Sequence, residues 1–69
     1  MTYTVKYLEM GTNKSLATEK VVTSPAFELG QTISEDALAI TGYRPDSRSK
    51  NVVLDYANNE IIFYYESKT

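Results

Sequence analysis

The sequence predicts a small, β-rich α+β domain with one short helix. Three features point there. Apolar residues alternate with a period of two at both ends of the chain, turn residues separate the apolar runs, and one central stretch changes period. At 69 residues the chain has room for a single domain, 1–69. A chain this short buries only about 60% of the surface its unfolded form exposes. Its 42% hydrophobic content must therefore converge on one thin core.

The first run, Thr2 to Glu9, places Tyr3, Val5 and Tyr7 on one face and Thr2, Thr4 and Lys6 on the other, the mark of a half-buried strand. Gly11 to Lys14 supplies turn chemistry, since Gly and Asn adopt positive φ cheaply. Leu16 to Thr23 then pairs back as a hairpin, and Ser24-Pro25 closes it because proline cannot donate to a ladder. Phe27, Leu29 and Ile33 form a second alternating patch interrupted by Gly30. Ser34-Glu35-Asp36 then reads as a helix start, a Ser N-cap followed by acids in the first turn. Ala37 to Ile40 continues that helix, and Gly42 sits where a terminating glycine belongs. Two turns of helix are marginal alone, so Ala37 or Leu38 must dock on the sheet. Tyr43 to Lys50 reads as a polar loop and Asn51 to Asp55 as a short strand. Ala57-Asn58-Asn59 is a tight turn into the last strand, Glu60 to Glu66. That strand has Ile61, Phe63 and Tyr65 on one face and Ile62 and Tyr64 on the other. Apolar residues on both faces place it inside the sheet.

Composition excludes several function classes. Seven Lys and Arg stand against nine Asp and Glu, for a net charge of −2. The one basic cluster, Arg44, Arg48 and Lys50, is too small to track a nucleic-acid backbone. Without Cys or His there is no disulfide, no thiolate or imidazole metal site, and no nucleophile–base pair of the usual kind. Glu35 and Asp36 are adjacent, so on a helix they diverge and cannot act together across one bond. The oxygens of Asp55, Asn58, Asn59 and Glu60 lack the spacing of a calcium loop and are explained by the turn. The expectation is a non-enzyme with no cofactor or metal. No run approaches the roughly 20 apolar residues of a membrane helix, so this segment makes no membrane contact of its own. Met1 directly before the first strand reads as an added start on a domain cut from a larger chain.

Five pieces of the sequence, taken together, resemble the MucBP (mucin-binding protein) repeat domain of Gram-positive surface proteins. They are Tyr3 to Glu9, Leu16-Ala17, Leu29-Gly30-Gln31-Thr32, Ile40-Thr41-Gly42-Tyr43 and Ile61 to Tyr65, in the family's order and spacing along nearly the whole chain. The turn between Glu9 and Leu16 and the Asn51 to Leu54 stretch depart from the family pattern. The resemblance implies a β-grasp-like (ubiquitin-like) α+β fold: a mixed sheet of four to five strands with one short helix, its first and last strands side by side. It further implies an extracellular module of an exported, peptidoglycan-anchored (LPXTG-type) protein, adhering to host mucin or another glycan or glycoprotein and flanked by neighbouring repeats. The rival is a stalk repeat that only spaces an adhesive domain from the wall.

Two places are candidate ligand sites. Tyr43, Arg44, Arg48 and Lys50 put an aromatic beside cations, and guanidinium forks match sulfate or carboxylate groups on sugars bidentately. The alternative is a solvated loop with Tyr43 tucked onto the core. Ile62 and Tyr64, with Thr4 and Lys6 beside them, form a semi-apolar sheet face that either meets a partner or lies under loops.

Overall fold

A computed structural model describes residues 1–68, and among them it contains six strands and no helix. The strands are β1 (Thr2–Glu9), β2 (Ser15–Thr23), β3 (Thr32–Asp36), β4 (Tyr43–Pro45), β5 (Ser49–Val53) and β6 (Asn59–Ser67). They form a four-stranded sheet in the order β2-β1-β6-β4 and a two-stranded ribbon of β3 and β5. In the larger sheet β1 pairs antiparallel with β2 and parallel with β6, and β4 pairs antiparallel with β6. The terminal strands thus lie side by side, with β6 in the sheet interior.

Because β1 and β6 run parallel, with Tyr3 opposite Asn59 and Glu9 opposite Tyr65, the chain enters at one end of the sheet and leaves at the other. The Cα envelope measures 41 × 18 × 17 Å. Its radius of gyration, 12.8 Å, exceeds the roughly 11 Å of a compact globule of this length.

The core is the inner face of this parallel pair. Val5, Tyr7, Ile61, Phe63 and Tyr65 form one buried cluster, and Ala17, Ala37, Ile40, Tyr43 and Val52 pack against it. Tyr7 stacks on Phe63 with ring centroids 6.2 Å apart, and Tyr3 stacks on Phe27 at 5.8 Å. Each fully buried side chain of the size of Val5 or Phe63 contributes about 1.5–3 kcal/mol by leaving water. At the ends, turn chemistry appears as read: Gly11, Asn13 and Asn58 all have positive φ. Asn59, 6% exposed, clamps the last turn: its side chain accepts from the Asp55 N–H at 2.7 Å and donates to the carbonyls of Asp55 and Thr2.

The α+β, β-grasp-like expectation with its helix does not hold. The residues expected to open the helix lie in β3, which pairs with β5 from Thr32–Val53 to Asp36–Ser49. Within β3 the side chains alternate, with Ser34 and Asp36 exposed and Glu35 turned inward. Glu35 accepts hydrogen bonds from the Tyr3 hydroxyl and, at 2.9 Å, from Lys20 Nζ. These partners lie 32 and 15 residues away, and the strand ladder outweighs a local cap on a helix of two turns. Residues 37–42 then run as irregular chain. Gly42 (φ 84°) closes a turn in which the Tyr43 N–H donates to the Ile40 carbonyl. Two smaller corrections accompany this one. The expected polar loop from Tyr43 to Lys50 holds β4 and the start of β5. β5 pairs with β3 rather than forming a hairpin with the last strand, so residues 54–58 carry the chain between sheets.

Candidate functional site

The irregular segment from Ala37 to Gly42 is held from beneath. The Tyr65 hydroxyl donates to the Leu38 carbonyl at 2.6 Å, and the Ala37 N–H donates to the Arg48 carbonyl at 2.8 Å. The Lys68 N–H donates to the Gly42 carbonyl at 3.0 Å. Ala37 and Ile40 turn onto the core, while Leu38 stays exposed. The result is a groove of about 700 Å³ lined by residues 37–45 with Arg48 and Lys68. That volume lies in the range of small-molecule sites, about 300–1,000 Å³.

The structure separates the candidate residues into three environments. Tyr43, Arg44 and Arg48 line the groove together. Tyr43 is half-buried against the core, and its hydroxyl donates to Glu9 at 3.1 Å. That bond to a carboxylate pushes the Tyr43 hydroxyl above its ordinary pKa. Glu9 is held low, first by a hydrogen bond from Thr12 and then by the one from Tyr43. Arg44 meets Glu66 at 3.6 Å, with both side chains more than 60% exposed.

Lys50 is spent elsewhere. Its ammonium pairs with Asp46 at 2.8 Å, donates to the Ile62 carbonyl at 2.8 Å, and sits 5.6 Å from the Phe63 ring centroid. β4 covers β6 only from Tyr65 to Ser67, so the Ile62 carbonyl lies on an open edge that Lys50 satisfies.

Ile62 and Tyr64 lie on the outer sheet face. The register sets Ile62 beside Lys6 and Tyr64 beside Leu8, with Thr4 and Glu60 a step further. Lys6 and Glu60 form an ion pair at 3.2 Å across this face. Arg44 and Glu66 extend it at one edge and Val21, 59% exposed, at the other.

Two lining elements escaped the sequence reading. A helix over residues 38–42, as the sequence suggests, would consume the polar groups of that backbone. Lys68, near the end of the chain, carries no local signal. Tyr56, 81% exposed in the 54–58 connection, is a further surface aromatic that the alternation pattern did not single out.

No family profile and no curated protein match the sequence. Among solved structures, the mucin-binding domain of Spr1345 from Streptococcus pneumoniae superposes with a TM-score of 0.62. The match covers 100% of this chain and 90% of that one, at 20% identity. A MucBP domain of LBA1460 from Lactobacillus acidophilus superposes with a TM-score of 0.57 at 16% identity, covering 97% of this chain and 90% of that one. Both matches run the length of the sheet and ribbon, so the fold of this chain is that of a MucBP domain.

Proposed function

We propose that this domain is a non-catalytic adhesion module of an exported, wall-attached protein of a Gram-positive bacterium, recognising host mucin or a related glycoprotein through the groove over residues 37–48. The observation that carries the reading is the full-length likeness to two domains described as mucin-binding or MucBP. The groove supports it, being wide enough for a saccharide and lined by cations and amide groups. The test is amide-resolved NMR of the isotope-labelled domain titrated with mucin O-glycans. Shifts confined to residues 37–48 are the expected result; no shift at millimolar glycan overturns it.

A second reading is a stalk repeat, favoured by the entry and exit of the chain at opposite ends of an elongated body. Such a repeat gains stability from its neighbours. Two domains joined in tandem should then melt above the single domain, and equal melting temperatures would count against it.

A further inference from the structure

Most of the positive charge in this chain is already committed to the fold. Of seven Lys and Arg, Lys6 pairs with Glu60, Lys20 with Glu35, and Lys50 with Asp46, all at 3.2 Å or less. Lys14 stands near Glu9 and helps hold that carboxyl low. Arg44 reaches Glu66 only at 3.6 Å, an exposed pair of the kind that holds neither partner firmly. Among the described residues, Lys14, Arg48 and Lys68 have no ion pair, and of these Arg48 and Lys68 line the groove. Ala39 and Thr41, in the same groove wall, have backbone N–H groups with no acceptor among the described residues. Of the carboxylates around the groove, Asp46 is engaged by Lys50 and Glu9 by Thr12 and Tyr43, while Glu66 meets Arg44 only loosely and Asp36, beside Ala37, points to solvent. Two of the three cations without an ion pair, and two spare amide donors, thus line one groove of a chain of net charge −2.

We propose that the groove selects acidic saccharides, binding the carboxylate of a sialic acid or the sulfate ester of a sulfated sugar, and discriminates against neutral ones. The inference rests on the reading of this groove as the adhesive surface. The Arg48 guanidinium supplies the planar fork that such an anion takes bidentately, and Lys68 adds a point charge beside it. Arg44 can turn from Glu66 to the ligand at little cost because the pair is exposed. The free amides donate to the remaining oxygens, and Ala37 and Ile40 underlie the groove with apolar surface.

The experiment titrates the labelled domain in parallel with sialyllactose, a sulfated N-acetylglucosamine and lactose. One or both acidic sugars should shift the amides of residues 38–42 and Arg48, which also tells the two anion sources apart. Lactose should bind at least about tenfold more weakly, and raising salt from about 0.05 to about 0.5 M should weaken only the acidic sugars. Arg48→Ala should lower affinity for the acidic sugar by about tenfold or more while leaving the rest of the spectrum in place. Lactose binding as well as the acidic sugars, or unchanged affinity in Arg48→Ala, overturns the proposal. A mucin-coated surface separates the two readings. If the domain binds mucin equally before and after removal of sialic acid and sulfate, adhesion stands and acidic selectivity falls. If it ignores mucin while the acidic sugars still titrate the groove, the reverse holds.

Discussion

The central strand pair and the segment from Ala37 to Arg48 are built on opposite terms. In β1 and β6 every inward side chain from Tyr3 to Tyr7 and from Ile61 to Tyr65 is buried, and ring stacks across to ring. In the segment, a few anchors hold an open backbone: the Leu38 carbonyl on Tyr65, the Ala37 amide on Arg48, and Gly42 under Lys68. The contrast between Lys50 and Arg48, two positions apart, is the sharpest instance. One has its ammonium saturated by a carboxylate, a carbonyl and two rings, and the other has no ionic partner among the described residues. The lesson is that candidate ligand residues in so small a domain are those the fold can spare.

That contrast is open to direct attack, most severely at its stable pole. Phe63→Ala empties the centre of the cluster and should cost about 3–5 kcal/mol, enough to leave the domain largely unfolded at room temperature. Circular dichroism with a native-like melt would show that the core is not where the packing places it. Glu35→Gln removes the charge that Tyr3 and Lys20 share and should cost about 1–3 kcal/mol, read by urea titration at neutral pH.

The same site predicts a pH profile. Burial pushes the Glu35 carboxyl up, but the hydrogen bonds from Tyr3 and Lys20 outweigh it and hold it below its ordinary value of 4.5. A carboxyl depressed in the folded state stabilises above that ordinary value and loses the contribution as pH falls through the lower one. Acid melting curves of the wild type and Glu35→Gln should therefore converge at low pH. At the alkaline end, burial and then Glu35 push the Tyr3 hydroxyl up from 10.0 to about 12. Its contribution is complete below 10.0 and is lost as pH climbs toward 12, so Tyr3→Phe should flatten that limb.

Tyr65→Phe keeps the buried ring and deletes only the bond to the Leu38 carbonyl, an expected loss of about 0.5–1.5 kcal/mol. Faster amide exchange confined to residues 37–42 would mark that bond as the anchor of the groove; exchange unchanged there would deny it the role. Smallest of all, Arg48→Ala should change the stability read from urea titration by no more than about 0.5 kcal/mol, since the side chain is exposed and has no ion pair. A larger loss would mean that Arg48 holds the fold after all.

The terminal strands were legible because their information is local. Tyr3, Val5, Tyr7 and Ile61, Phe63, Tyr65 alternate without interruption, and Asn58 and Gly11 announce the turns. The middle was misread because Ser34-Glu35-Asp36 satisfies two local grammars at once. As a helix start it offers a cap and a favourable dipole; as a strand it alternates out, in, out. The decision rests with Tyr3, Lys20 and β5, none of them a neighbour in sequence. Arg44 and Arg48 were legible as an exposed basic pair. The diversion of Lys50 was not, because it depends on β4 stopping short and leaving the Ile62 carbonyl bare. Lys68 enters the groove only because β6 returns its end to Gly42.

The parallel pairing of β1 with β6 has a mechanical consequence. Tension applied between the first and last described residues pulls β1 and β6 lengthwise in opposite directions, so their shared hydrogen bonds, from Tyr3–Asn59 to Glu9–Tyr65, bear the load together in shear. Pulling apart the β1–β2 hairpin from Thr2 and Thr23 would instead break its bonds one at a time. Single-molecule stretching between residues 1 and 68 should therefore need several times the force of stretching between residues 2 and 23. A domain loaded in this way would hold its shape under tension until the whole interface ruptures at once.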